Sequence, residues 1–122
     1  MITMRYVDEA IVSRLVRELA DDVPAGVRFV TDFVTAWEER VARILDAAER
    51  QDPEDVNTVL LSVRTASGML GATALFSAAT ELQRQVTETR TVDRAAVARY
   101  VDIGTASCHE LSDLARRLKA AV

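Results

Sequence analysis

Cys108 and His109 are adjacent, and each is the only residue of its type in the chain. An imidazole can accept a phosphoryl group and a thiolate can act as a nucleophile, but both need supporting groups. One cysteine beside one histidine does not make a metal site, and no arginine or lysine follows His109 by three or four residues. We therefore predict a buried, structural thiol at Cys108, an exposed imidazole at His109, and no metal or cofactor.

Leu61 interrupts an otherwise polar helix face in the segment LLSVRTASGMLGATAL, residues 60–75. At about 100° per residue, the apolar side chains of this helix centre on Val63, and Leu61 points about 160° away. Single exposed leucines are common, so periodicity alone leaves open an incidental leucine or a contact with a partner. The residues that share the face of Leu61 are Asn57, Thr58, Arg64, Thr65 and Gly68.

This segment resembles the signature of histidine-containing phosphotransfer (HPt) domains, Ala-His-x-Leu-Lys-Gly-x-Ser/Ala followed after a few residues by Gly-Ala. Leu61 occupies the position of the phospho-accepting histidine, Arg64 that of the lysine and Thr65 that of the glycine. The other matching positions are Leu60, Val63, Ala66, Ser67, Gly71 and Ala72. The segments before and after it, residues 27–56 and 75–86, resemble the neighbouring helices of the family, so the likeness covers nearly the whole chain.

The resemblance implies that Leu61 is a degenerate phosphoacceptor position, because leucine has no nucleophile. In the family, the exposed histidine exchanges a phosphoryl group with a receiver domain and the basic residue stabilises its charge. Arg64 keeps a positive charge suited to an acidic receiver pocket. We therefore expect a pseudo-HPt protein with no enzymatic activity. It would bind a response-regulator receiver domain or a histidine kinase through Asn57, Leu61, Arg64, Thr65 and Gly68.

Helical periodicity predicts the elements that must carry this face. A short helix spans about residues 8–20, a long one about 24–51, a third 53–70, a fourth the segment around Leu75 to Val86, and a fifth about 93–120. Asp52 and Pro53 give the clearest helix start, and Thr91 or Asp93 is the candidate cap of the last helix. The predicted fold is all-α: an antiparallel four-helix bundle with an extra short N-terminal helix, forming one domain over residues 1–122.

Composition excludes several classes of function. The chain has 122 residues, 49% of them hydrophobic, and a formal charge of −4, so it offers no basic stripe for nucleic acid. No apolar run reaches the length of a membrane span and no secretion signal is evident, and a lone cysteine favours a reducing compartment, so we expect a cytoplasmic protein.

Two other functions remain open. A helical structural or oligomerisation module, unrelated to a phosphorelay, would use Leu61 in a symmetric packing patch and form a stable dimer. For the pseudo-HPt protein we expect a monomer or weak dimer. An active phosphotransfer protein using His109 is disfavoured, because Glu110 and Asp113 would repel an incoming phosphoryl group.

Overall fold

The structure, a computed structural model, describes residues 4–121; residues 1–3 and 122 of the expected domain lie outside it. The described chain is all-α, which confirms the predicted fold class. The helices begin and end within about three residues of the positions that periodicity predicts. They are α1 (Glu9–Glu18), α2 (Val23–Glu49), α3 (Pro53–Leu70), α4 (Thr73–Thr89) and α5 (Arg94–Ala120).

Aspartate side chains start four of the five helices. Each accepts a hydrogen bond from a backbone N–H of the first turn, which would otherwise have no partner. Asp93, rather than Thr91, caps α5, since its carboxylate accepts from the N–H groups of Ala95 and Ala96. The remaining aspartate caps are Asp8, Asp22 and Asp52.

The four long helices α2–α5 form an up-and-down bundle that is roughly square in cross-section. α2 packs most extensively against α5 and α3 against α4, and the α2–α3 and α4–α5 contacts close the square. The α2–α5 and α3–α4 seams therefore lie on opposite sides of the bundle. Fully buried side chains from all four helices fill the interior, among them Ile44, Leu60, Leu75 and Leu111. The three-residue and four-residue apolar spacing of each helix explains this shared core.

Trp37 packs directly on the backbone of α5 at Gly104. A Cβ atom at position 104 would lie 1.9 Å from the indole Cζ2, so only glycine fits beneath the ring. The ring is held on its other sides, because its Nε1 donates to Thr105 Oγ1 at 3.2 Å and Phe33 and Tyr100 pack against it. The α2–α5 contact is thus closest where the largest side chain meets the smallest.

The N-terminal segment is fixed to the far end of the sequence by one carboxylate. Glu110 on α5 accepts hydrogen bonds from the backbone N–H groups of residues 5–7, at 2.9–3.1 Å. The Asp8 N–H then donates to the Gly71 carbonyl at 2.7 Å. α1 follows directly and packs against α2 and α3. Val16 of α1 packs closely on Gly26 of α2, because a Cβ atom added at Gly26 would lie only 2.8 Å from Val16 Cγ2.

Candidate functional site

Helix α3 presents the candidate site, and both of its ends are well defined. Asp52 accepts from the Asp55 N–H at 3.1 Å, and Pro53 occupies the first turn, where it needs no donor. The helix ends at Leu70 and is capped by Gly71, whose φ of +71° is left-handed and favours glycine. A Cβ at this position would also lie 2.6 Å from the Asp8 carbonyl oxygen. The end of α3 is therefore fixed against the start of α1.

Leu61 lies on the open side of α3, with 58% of its surface exposed. Two other large apolar side chains are exposed on these helices, Met69 at the end of α3 and Phe76 on α4, and both line a groove with Arg64 and Gly68. We refer to Leu61, Arg64, Gly68, Met69 and Phe76 as the Leu61 surface. The buried residues of α3 lie on the opposite side, as the periodicity predicts. They are Val56, Val59, Leu60, Val63, Ser67 and Leu70.

Arg64 is half-buried and turned towards α4. Its Nη1 donates to Gln83 Oε1, and its guanidinium carbon lies 5.7 Å from the centre of the Phe76 ring. Within residues 4–121 no group accepts from the buried Nε. The guanidinium is thus held in a fixed place by a polar and an aromatic neighbour, rather than extending freely into solvent.

The other three predicted contact residues differ in their exposure and in their hydrogen bonds. Asn57 is half-buried, and its amide donates to Thr87 Oγ1 on α4 at 3.3 Å. Thr65 is exposed, but its hydroxyl donates to the Leu61 carbonyl at 3.1 Å. Gly68 is exposed, and the Phe76 ring would meet an added Cβ at 3.5 Å, an ordinary contact. The structure therefore brings Arg64, Thr65 and Gly68 together, with Asn57 further along the same face.

A groove extends the Leu61 surface towards α1. It has a volume of about 380 Å³. Its α3 wall includes Arg64, Thr65 and Gly68, and its α1 wall includes Ile11 and Arg14. The N-terminal helix is thus part of the candidate site, which the sequence pattern of α3 did not show.

Gln83 and Phe76 are the α4 residues that sequence reasoning missed. They are seven residues apart, so they lie on one side of α4, beside its buried residues Leu75 and Leu82. An exposed Phe76 next to the apolar stripe is the same kind of irregularity as Leu61, and it was a usable signal. The bond from Gln83 to Arg64 needed the packing of α3 against α4.

Cys108 and His109 lie on α5, away from the Leu61 surface. They border a hollow of about 330 Å³ between α2 and α5, together with Trp37 and Thr105. His109 is exposed and Cys108 is buried, as predicted. Burial raises the pKa of the Cys108 thiol to about 11, and the positive charge of Arg40 opposes this effect only in part. The thiol is therefore protonated at neutral pH.

We expect Cys108 to react slowly with iodoacetamide in the folded protein. A pKa raised from 9.0 to about 11 lowers the thiolate fraction at pH 8 by about 100-fold. The rate should rise about tenfold per pH unit between pH 8 and 10, and urea should abolish the protection. Intact-mass spectrometry measures both rates, with Cys108→Ser as the unreactive control. Equal rates in the folded and unfolded chain would contradict the buried thiol.

Two features are not found in residues 4–121: a metal-binding cluster and a membrane-spanning helix. Those residues hold no group of three or more His, Cys, Asp or Glu side chains that could bind a metal ion. No helix among them is both long enough and apolar enough to cross a membrane.

Comparison with known proteins supports the fold. No family model and no curated protein sequence matches the chain. The chain is similar to the crystal structure of histidine-containing phosphotransfer protein B (HptB) from Pseudomonas aeruginosa PAO1, with a TM-score of 0.77. The match has 18% sequence identity and covers 94% of this chain and 98% of that one. The chain therefore has the all-α fold of that phosphotransfer protein.

Proposed function

We propose that this chain is a phosphorelay docking protein that carries no phosphoryl group. It binds a receiver domain of a response regulator, or a histidine kinase, through the Leu61 surface, and it modulates signalling by competition or sequestration. The observation that carries the proposal is Leu61 itself. An apolar side chain stands exposed where the resembling family has its histidine, on a chain with the fold of a phosphotransfer protein.

Arg64 supplies the polar part of the surface. Gln83 and Phe76 hold its guanidinium beside the apolar patch. A receiver domain presents carboxylates around its phosphorylated aspartate, and a positioned guanidinium suits such a group better than a mobile lysine would.

Gly68 supports an external contact. Glycine within a helix costs about 1 kcal/mol relative to alanine. Since a Cβ at this position would meet only the Phe76 ring at an ordinary 3.5 Å, no close contact among the described residues requires the glycine. A partner that approaches closely would require it.

The docking proposal predicts that Leu61, and not another exposed leucine, contributes to receiver binding. Leu61→Asp should reduce the affinity for a captured receiver domain by at least about tenfold, since a buried carboxylate in an apolar contact is costly. Leu45→Asp is the matched control, because Leu45 on α2 is also exposed, at 46%. Titration of purified receiver domains by calorimetry gives both affinities. Equal effects of the two substitutions would contradict the proposal, and acid-labile label on the wild-type chain from a phosphorylated receiver would contradict the loss of phosphotransfer.

An oligomerisation module is the second candidate, and the exposed Leu61, Met69 and Phe76 favour it. Size-exclusion chromatography with light scattering separates the two functions. A stable dimer that Leu61→Asp dissociates supports the module, whereas a monomer that captures a receiver domain supports docking.

A further inference from the structure

A second groove lies on the α2–α5 seam, across the bundle from the α3–α4 seam. Its larger part has a volume of about 500 Å³ and is lined by Val23, Val27 and Thr31 of α2 and by Lys119 of α5. A smaller hollow of about 150 Å³ shares Val27, Thr31 and Lys119 and reaches Val34. The two hollows share these three residues, and together we call them the α2–α5 groove.

The size of the α2–α5 groove decides which class of occupant fits within it. A helix with its side chains is about 10 Å wide, so three turns displace more than about 1,200 Å³. The groove is smaller than this, but it lies in the range of about 300–1,000 Å³ that holds small molecules, and such sites occur between the helices of bundles. Its valine walls suit an unbranched apolar chain.

The charged residues that line the groove decide which head group it would bind. Arg28 and Lys119 both border the larger part, and neither forms an ion pair within residues 4–121. Asp32 is the carboxylate on this part of the lining, so the cations are in excess. The N-terminus of α2 adds little to this excess, because the Asp22 carboxylate caps it and Lys119 lies in the last turn of α5, at the negative end of that helix dipole.

We propose that the α2–α5 groove binds a small single-chain anionic amphiphile. The apolar chain lies along Val23, Val27 and Val34, and the anionic head, a carboxylate or a phosphate, lies between Arg28 and Lys119. This site is independent of the Leu61 surface, since the two occupy opposite seams of the bundle.

Titration with decanoate below its micelle concentration tests the proposal, by calorimetry and by amide NMR shifts of the full chain. We expect saturable binding, with the shifts concentrated at Val27, Thr31 and Ala115. Octanoate should bind about tenfold more weakly, because two fewer methylenes are buried. Decanol should bind at least about fivefold more weakly, because it lacks the charge. Decyl phosphate distinguishes a phosphate from a carboxylate head, and tighter binding of either supports the proposal.

Variants locate the site. Arg28→Glu should lower decanoate affinity at least about fivefold, whereas Arg99→Glu, the same change at an exposed arginine elsewhere, should leave it unchanged. Thr31→Phe should block the groove. Equal binding of decanol, equal loss in both arginine variants, or shifts centred on Leu61 would each overturn the proposal. Concentration-dependent shifts along this seam without ligand would also overturn it, by assigning the groove to a second copy of the chain. None of these outcomes bears on receiver binding.

Discussion

The Leu61→His variant should accept a phosphoryl group that the wild type cannot accept at position 61. The new imidazole would stand at a position that is 58% exposed, one turn before Arg64, whose guanidinium Gln83 already holds. Phosphoramidate tests this without a protein partner. An imidazole nitrogen attacks phosphorus, the P–N bond of the reagent breaks, and ammonia leaves. We expect labelling at least about tenfold above background.

His109 complicates this experiment, because it is also exposed. The comparison is therefore made between Leu61→His/His109→Gln and His109→Gln, with intact-mass spectrometry and acid lability as readouts. A further Arg64→Ala change should lower the labelling rate, since the cation offsets the charge of the incoming phosphoryl group. If the Leu61→His/His109→Gln variant is folded but takes no more label than His109→Gln, the surroundings of position 61 do not support a phosphoacceptor.

Gly104→Ala should destabilise the fold by about 1–3 kcal/mol. The added methyl would lie 1.9–2.1 Å from two carbons of the Trp37 ring, so the ring must move. Moving the ring breaks the hydrogen bond from Nε1 to Thr105 Oγ1, which costs about 1 kcal/mol. This cost roughly cancels the helix propensity that is gained when alanine replaces glycine. Urea denaturation followed by circular dichroism measures the change in the free energy of unfolding.

Gly68→Ala is the matched control for this prediction and should have the opposite sign. It is the same substitution within a helix, but the new methyl meets Phe76 at an ordinary 3.5 Å, so the protein should gain up to about 1 kcal/mol. Combining Gly104→Ala with Trp37→Phe should cost less than the sum of the two single changes, because the smaller ring removes the clash. Equal signs for the two glycine variants would contradict the packing described for Trp37.

Local signals were sufficient for the helices. Asp52 followed by Pro53 marks the start of α3 through backbone hydrogen bonding alone, and the spacing of apolar residues identifies which side is buried. The outward position of Leu61 follows from the same periodicity. These features depend on residues within two turns of one another, so a single sequence contains them.

Contacts between helices that are distant in sequence could not be predicted from such local signals. Periodicity places Gly104 inward, but the reason for a glycine is the crossing of α2 and α5 at Trp37. The groove wall supplied by Arg14 depends on how α1 packs, and the bond from Gln83 to Arg64 depends on the α3–α4 seam. Each of these requires the relative position of two helices, which no spacing along one helix specifies.

The hydrogen bonds between the Glu110 carboxylate and the backbone of residues 5–7 set an order in which parts of the chain can fold. These partners are 103–105 positions apart in the chain. A ribosome adds about 5–20 residues per second, so the amides of the first segment wait several seconds or longer for their acceptor. During that time α2, α3 and α4 can pair and α1 can pack on α2 and α3, but the backbone of residues 5–7 lacks its acceptor. The wall that Ile11 and Arg14 give to the groove beside α3 can therefore form before α5 is complete, and the segment that precedes α1 is fixed last.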